Sequence, residues 1–204
     1  MDNLREHLED ISEIRNMMER HSKFLSLSGL SGISAGLCGL AGSVAVWIYL
    51  GYSFSEPWAH DVPRNFEEFF LLVAGLVLFG AVGLALLFSM RMAKRKNLPL
   101  WNKTARRTLV DLAIPLAAGG LFCLIQLLHG AYLWIGSATL LFYGLALLNA
   151  SRNTITEIRY LAYSEIVLGL LCAIWAGQSL IFWGIGFGLM HIVYGAIMYF
   201  KYER

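Results

Sequence analysis

The segment Gly144-Leu-Ala-Leu-Leu-Asn-Ala-Ser-Arg152 repeats the pattern of Gly83-Leu-Ala-Leu-Leu-Phe-Ser-Met-Arg91 and, more faintly, of Gly195-Ala-Ile-Met-Tyr-Phe-Lys201. Each copy closes an apolar run and passes into positive charge. A helix rises about 1.5 Å per residue, so roughly 20 apolar residues cross a hydrocarbon core about 30 Å thick. Working outward from the three endings delimits six such runs, at 24–50, 69–90, 109–128, 132–148, 161–176 and 180–200, and the endings close the second, fourth and sixth. The expected fold class is therefore all-α: a polytopic membrane protein with six transmembrane helices as three hairpins. A cytoplasmic amphipathic helix over residues 1–23 precedes this domain of residues 24–204.

Composition agrees. Of 204 residues, 57% are hydrophobic and only 15% charged, with a mean hydropathy of +0.59, too apolar for an ordinary soluble domain and too long for a single anchor. Cys38, Cys123 and Cys172 fall inside apolar runs with no Cys-x-x-Cys spacing, which suggests neither a disulfide framework nor a zinc site. About two dozen mixed-charge residues precede the first run, which is also longer than a signal h-region, so the first span is expected to stay in the mature protein.

Orientation follows from where the bases lie. The six-run scheme puts 15 of the 16 Lys and Arg on one side, seven of them in the acid-free cluster Arg91, Lys94, Arg95, Lys96, Lys103, Arg106 and Arg107; only Arg64 lies on the other. Positive charge marks the cytoplasmic side, so both termini are expected inside, in a bacterial inner membrane. The basic cluster is what orientation and lipid contact require, and no nucleic acid partner is expected.

Packing signals are of two kinds. Gly29, Gly32, Gly36 and Gly39 recur at three- and four-residue steps, giving the first span a smooth face for close helix approach. That face suits packing within the chain or a homo-oligomer through the first transmembrane helix. The second signal is an internal repeat. Gly120-Leu-Phe-Cys-Leu-Ile125 matches Gly169-Leu-Leu-Cys-Ala-Ile174, and Tyr143-Gly144 faces Tyr194-Gly195, at an offset of 49 to 51 residues. An even number of spans separates the copies, so they share one orientation.

Ionisable groups inside spans are the functional candidates, because burying such a charge costs at least about 2.5 kcal/mol near the bilayer centre. Three qualify. His191 lies near mid-membrane on the row Gly184, Gly188, His191, Gly195 and has no counterpart in the other repeats. Glu165 is expected about one turn into span five, within reach of Arg159 or Arg107. Asp111 stands four residues after Arg107, the helical spacing for an ion pair. Pro115, Gly119 and Gly120 follow it and predict a kink or local unwinding of span three, since Pro115 has no N–H for the carbonyl of Asp111.

No nucleophile with its base, phosphate-binding glycine loop or metal motif is present, so no catalytic residue, metal or cofactor is expected. His60 beside Asp61 lacks a third ligand. The acidic N-terminal helix and the basic loop are expected to dock on each other, or to offer a surface to a cytoplasmic protein partner.

Leu8-Glu-Asp-Ile-Ser-Glu-Ile-Arg-Asn-Met-Met-Glu-Arg20, followed by Phe24-Leu-Ser-Leu-Ser-Gly-Leu-Ser-Gly32, resembles the start of a group of uncharacterised six-span bacterial membrane proteins. The resemblance covers about thirty residues and implies the six-span architecture without an activity. The functional expectation rests on the polar residues: the bundle moves or binds a small solute or ion, with His191, Asp111 and Glu165 lining its interior. The alternative is a membrane-embedded sensor or assembly subunit working through its cytoplasmic face.

Overall fold

The computed structural model describes residues 28–51, 65–95, 101 and 103–204. The N-terminal helix, His60, Asp61 and most of the basic loop lie outside the described residues. Six helical segments follow one another: α1 (Gly29–Leu50), α2 (Phe66–Arg95), α3 (Lys103–Leu128), α4 (Ile135–Ala150, with a 3-10 turn at either end), α5 (Glu157–Ile174) and α6 (Ala176–Tyr202). Among the described residues there is no strand. Five helices, all but α5, are long and apolar enough to cross a membrane. Glu157, Arg159 and Glu165 set α5 apart.

Local chemistry explains the boundaries. Ser28 caps α1, its Oγ accepting the Leu30 N–H at 3.2 Å, and Gly51 ends it at φ 62°, a left-handed conformation that costs glycine little. Gly130 at φ 68° makes the turn between α3 and α4, in the gap between the apolar runs 109–128 and 132–148. α6 is a single rod with an irregular middle: Gly184–Met190 is π-helical, and α-helix resumes at His191. The wider π turn follows three glycines in alternation, Gly184, Gly186 and Gly188.

The helices alternate in direction, and their pairing differs from three independent hairpins. α1 packs on α2, where Tyr49 stacks on Phe69 with ring centroids 3.8 Å apart, and α3 packs on α4 through Phe122 and Phe142. α5 and α6 turn their broadest faces elsewhere, α5 to α4 and α6 to α1. Glycine makes both approaches possible. A Cβ at Gly32 would stand 2.9 Å from Cα of Gly195, one at Gly36 2.7 Å from the carbonyl oxygen of Gly188, and one at Gly39 2.5 Å from that of Phe187. The smooth face of α1 is thus filled by the last helix of the same chain, and an oligomer formed through α1 has to use another face. A Cβ at Gly144 would similarly stand 2.9 Å from the Ile166 amide nitrogen, so glycine also lets α4 approach α5. Gly83 meets nothing within 4 Å, so the first copy of the repeat does not share the packing role of the other two.

The local unwinding expected near Pro115, Gly119 and Gly120 is corrected: α3 is one helix across all three. The Asp111 carbonyl that Pro115 leaves without an N–H accepts instead from Asn149 Nδ2 of α4 at 2.8 Å, and Asn153 Nδ2 binds the Asp111 carboxylate at 2.7 Å. A side chain from the neighbouring helix therefore supplies the missing donor. Gly119 is a packing residue, since a Cβ there would meet the Phe142 ring, while Gly120 faces open space. Asp111 makes no ion pair with Arg107 among the described residues; its partners are the two asparagines.

The core lies between α4, α5 and α6, around Leu147, Ile158, Leu161, Ala162 and Met198. Outside it the surface is oily. Leu72, Leu76, Phe79, Ile114, Leu121 and Ile174 are all more than half exposed, which suits a hydrocarbon solvent. Exposed Trp101, Tyr160, Tyr163 and Tyr202 gather at one set of helix ends, with Trp134 and Trp175 at the other, as interfacial aromatics do.

Two predictions follow from packing. Gly36→Ala should destabilise by about 1–3 kcal/mol through overpacking against α6, whereas Gly75→Ala, in open space, should be neutral or stabilising by up to about 1 kcal/mol; thermal unfolding in detergent measures both. Asn149→Ala should cost about 1–3 kcal/mol by orphaning the Asp111 carbonyl. Pro115→Ala restores an N–H there, so the double variant should recover part of that loss. Equal stabilities of the single and double variants would contradict the assigned role of Asn149.

Candidate polar site within the helix bundle

α4, α5 and α6 meet around one buried group of polar side chains. Glu165, in the middle of α5, is 0% exposed, and His191, where the π segment of α6 returns to α-helix, is 5% exposed. Glu165 Oε1 lies 3.5 Å from His191 Nδ1. The same Nδ1 is 3.0 Å from the carbonyl oxygen of Gly186, and His191 Nε2 is 2.7 Å from the hydroxyl of Tyr143 on α4.

These contacts assign the protons. A carbonyl can only accept, so Nδ1 carries a hydrogen directed at Gly186, and in the neutral ring Nε2 then accepts from the Tyr143 O–H. Every hydrogen-bonding position of the imidazole is occupied. The carboxylate is not so served: neither oxygen of Glu165 has a hydrogen-bond partner among the described residues, and Oε1 has there only its longer approach to the Nδ1–H already given to Gly186. A buried carboxyl with two free oxygens is costly unless a proton or another cation accompanies it.

The fold builds this arrangement from glycine and aromatic residues. Gly186 brings the α6 backbone against Glu165: a Cβ there would stand 2.6 Å from Oε2. The π turn brings the Gly186 carbonyl, five residues upstream of His191, to the imidazole. Phe187 lies against both Tyr143 and His191, with centroids 4.9 and 6.0 Å apart, and Trp183 packs tilted beyond it at 4.9 Å. These rings close the site.

Of the three candidates, Glu165 and His191 come together and Asp111 does not; it joins Asn149 and Asn153 between α3 and α4. The expectation that Glu165 reaches Arg159 or Arg107 is corrected, because it is buried and its nearest polar neighbour among the described residues is His191. Arg107 is exposed on α3 and Arg159 in the first turn of α5. Tyr143 was singled out in sequence only as a repeat position aligned with Tyr194. The two differ in the structure: Tyr143 reaches His191, while the buried Tyr194 hydroxyl has no partner among the described residues.

The class defined by the described residues is an all-α fold with five helices long and apolar enough to cross a membrane, holding a buried carboxyl beside an imidazole. Comparison with family models, with curated proteins and with solved structures found no match.

The two aligned tyrosines should respond differently to loss of the hydroxyl. Tyr143→Phe leaves His191 Nε2 without a donor and should cost about 1–3 kcal/mol, while Tyr194→Phe removes an unpartnered group and should be neutral or stabilising. Chemical denaturation of both variants in detergent distinguishes them.

Proposed function

We propose that this chain is a multi-pass protein of a bacterial inner membrane, with six spans and both termini cytoplasmic, that binds or moves a small solute or ion within its helix bundle. The observation that carries the reading is the carboxyl of Glu165, buried with both oxygens unpartnered beside His191. A proton or small cation is the simplest species such a group takes up. Polar groups inside a bundle commonly mark proton relays and ion pathways, because hydrocarbon gives them no other reason to be there. Asp111, the third candidate, is assigned to holding α3 on α4 rather than to the pathway.

A second reading, a membrane-embedded sensor or assembly subunit acting through its cytoplasmic face, is favoured by one observation. Glu165 and His191 are closed to the surface. A closed site suits a switch as well as an occluded transport intermediate.

Reconstitution into liposomes with a trapped pH-sensitive dye separates the readings. Transport predicts flux under an imposed ion or pH gradient that falls to background in His191→Ala and in Glu165→Gln, with folding retained. Absence of flux with every ion and metabolite tested, together with loss of cellular output on deleting residues 2–22, supports the sensor and sinks the transport reading.

A further inference from the structure

A second polar feature lies at the other end of the α4–α5 interface, on the side that carries the bases. The ends of the two helices flank an open pocket of about 350 Å³ lined by Leu145, Leu148, Asn149, Ser151, Arg152, Arg159 and Tyr163. It shares no residue with the Glu165–His191 site. Arg152 comes from the 3-10 turn that closes α4 and Arg159 from the first turn of α5, so the short connection between the helices brings two guanidinium groups to one cavity.

The other polar groups of the wall are committed inward. The Asn149 amide donates to the Asp111 carbonyl and the Ser151 hydroxyl to the Leu148 carbonyl. Neither arginine pairs with an acid among the described residues, where the one Lys or Arg ion pair is Lys201–Glu157. The pocket thus offers a ligand two permanent cations, and guanidinium favours phosphate because its planar fork matches two phosphate oxygens at once.

The remaining wall says which phosphate. Leu145 and Tyr163 are about half exposed, at 46% and 48%, and Tyr163 heads a stripe that continues along α5 through Val167, Leu170 and Ile174, each more than half exposed. A soluble phosphate has no use for that stripe. A ligand with a phosphate at one end and a hydrocarbon chain at the other uses both.

We propose that the pocket between α4 and α5 is a binding site for an anionic phospholipid, its phosphate held by Arg152 and Arg159 and an acyl chain lying along Tyr163, Val167 and Leu170. The site is independent of any flux through the bundle, and it rests on the reading that α4 and α5 lie across a bilayer. Basic pockets between spans at the cytoplasmic side are suited to anionic headgroups, since that leaflet is negatively charged.

The test reconstitutes the full chain in nanodiscs of equal phosphatidylglycerol and phosphatidylcholine and counts the lipids retained after release by native mass spectrometry. The wild type should keep phosphatidylglycerol in preference, and the double variant Arg152→Ala/Arg159→Ala should lose that preference about tenfold, the effect of losing at least one charge-assisted contact. Arg106→Ala, which removes an exposed base from α3, should leave it unchanged. Millimolar inorganic phosphate should not displace the lipid. Unchanged retention in the double variant, an equal loss in Arg106→Ala, or displacement by phosphate each overturns the proposal. Whether the chain stays soluble without detergent tests the membrane reading separately.

Discussion

Helices in a hydrocarbon solvent gain nothing hydrophobic by touching each other, so whatever holds them must come from close contact and from polar groups with nowhere else to go. The contact between α1 and α6 is of the first kind. Gly29, Gly32, Gly36 and Gly39 on one helix and Gly188 and Gly195 on the other bring the two backbones together along most of their length. The Glu203 carboxylate then accepts the N–H of Gly29, tying the tail after α6 to the start of α1 and placing negative charge at a helix N-terminus. The first and last helices of the chain are thereby closed on one another. That closure fixes α6 in the middle of the bundle, where its other faces meet α4 and α5.

The polar site depends on this placement. α6 has to approach α5 closely enough for the Gly186 backbone to lie against Glu165, and it has to turn His191 toward Tyr143 on α4. A regular α-helix bonds each carbonyl to the amide four residues on; a π segment shifts that register by one and leaves room for a side chain to bond the backbone. Here the Gly186 carbonyl receives the His191 imidazole. The glycine alternation in Gly184–Met190 therefore serves packing and chemistry together: glycine admits α1 and α5 at close range, and the irregular turn orients His191, the one histidine on the helix.

Much of the architecture was readable from residues. The apolar runs, the gap between the runs 109–128 and 132–148 and the smooth face of α1 are local patterns with local causes, and the sequence carries them directly. The partner of that smooth face was not readable, because Gly29 to Gly39 look the same whether the facing helix is α6 or a second copy of the chain. Glu165 was misjudged for a related reason. Its nearest bases in sequence point to an ion pair with Arg159, but α5 begins at Glu157, four residues before the apolar run does, which sets Glu165 deeper in the helix than hydropathy alone implies. Tyr143 carried a signal only as an aligned repeat position, and alignment cannot say that one copy of a tyrosine meets a histidine while the other meets nothing. Asn149 sat in the motif that opened the reading, yet its role required knowing which carbonyl Pro115 had freed.

The two polar devices in the bundle obey opposite rules, and the contrast separates structure from function. At Asp111, each group exposed by the proline has a partner: the carbonyl takes Asn149 and the carboxylate takes Asn153. A network of this kind, bonded from helix to helix, specifies how α3 sits on α4. At Glu165 the neighbouring imidazole is fully satisfied by Gly186 and Tyr143, and the carboxyl is left over. If stability alone had shaped that position, a glutamine or an apolar side chain would remove the cost of an unpartnered buried carboxyl. Retaining it makes sense when the missing partner comes and goes. Under the proposed reading, a carboxyl beside a histidine whose two nitrogens are already ordered takes up a proton or small cation without rebuilding its surroundings, because the imidazole is held by Gly186 and Tyr143. This distinction, more than the mere presence of ionisable residues in apolar helices, is why the functional reading rests on Glu165 and His191 and leaves Asp111 to the architecture.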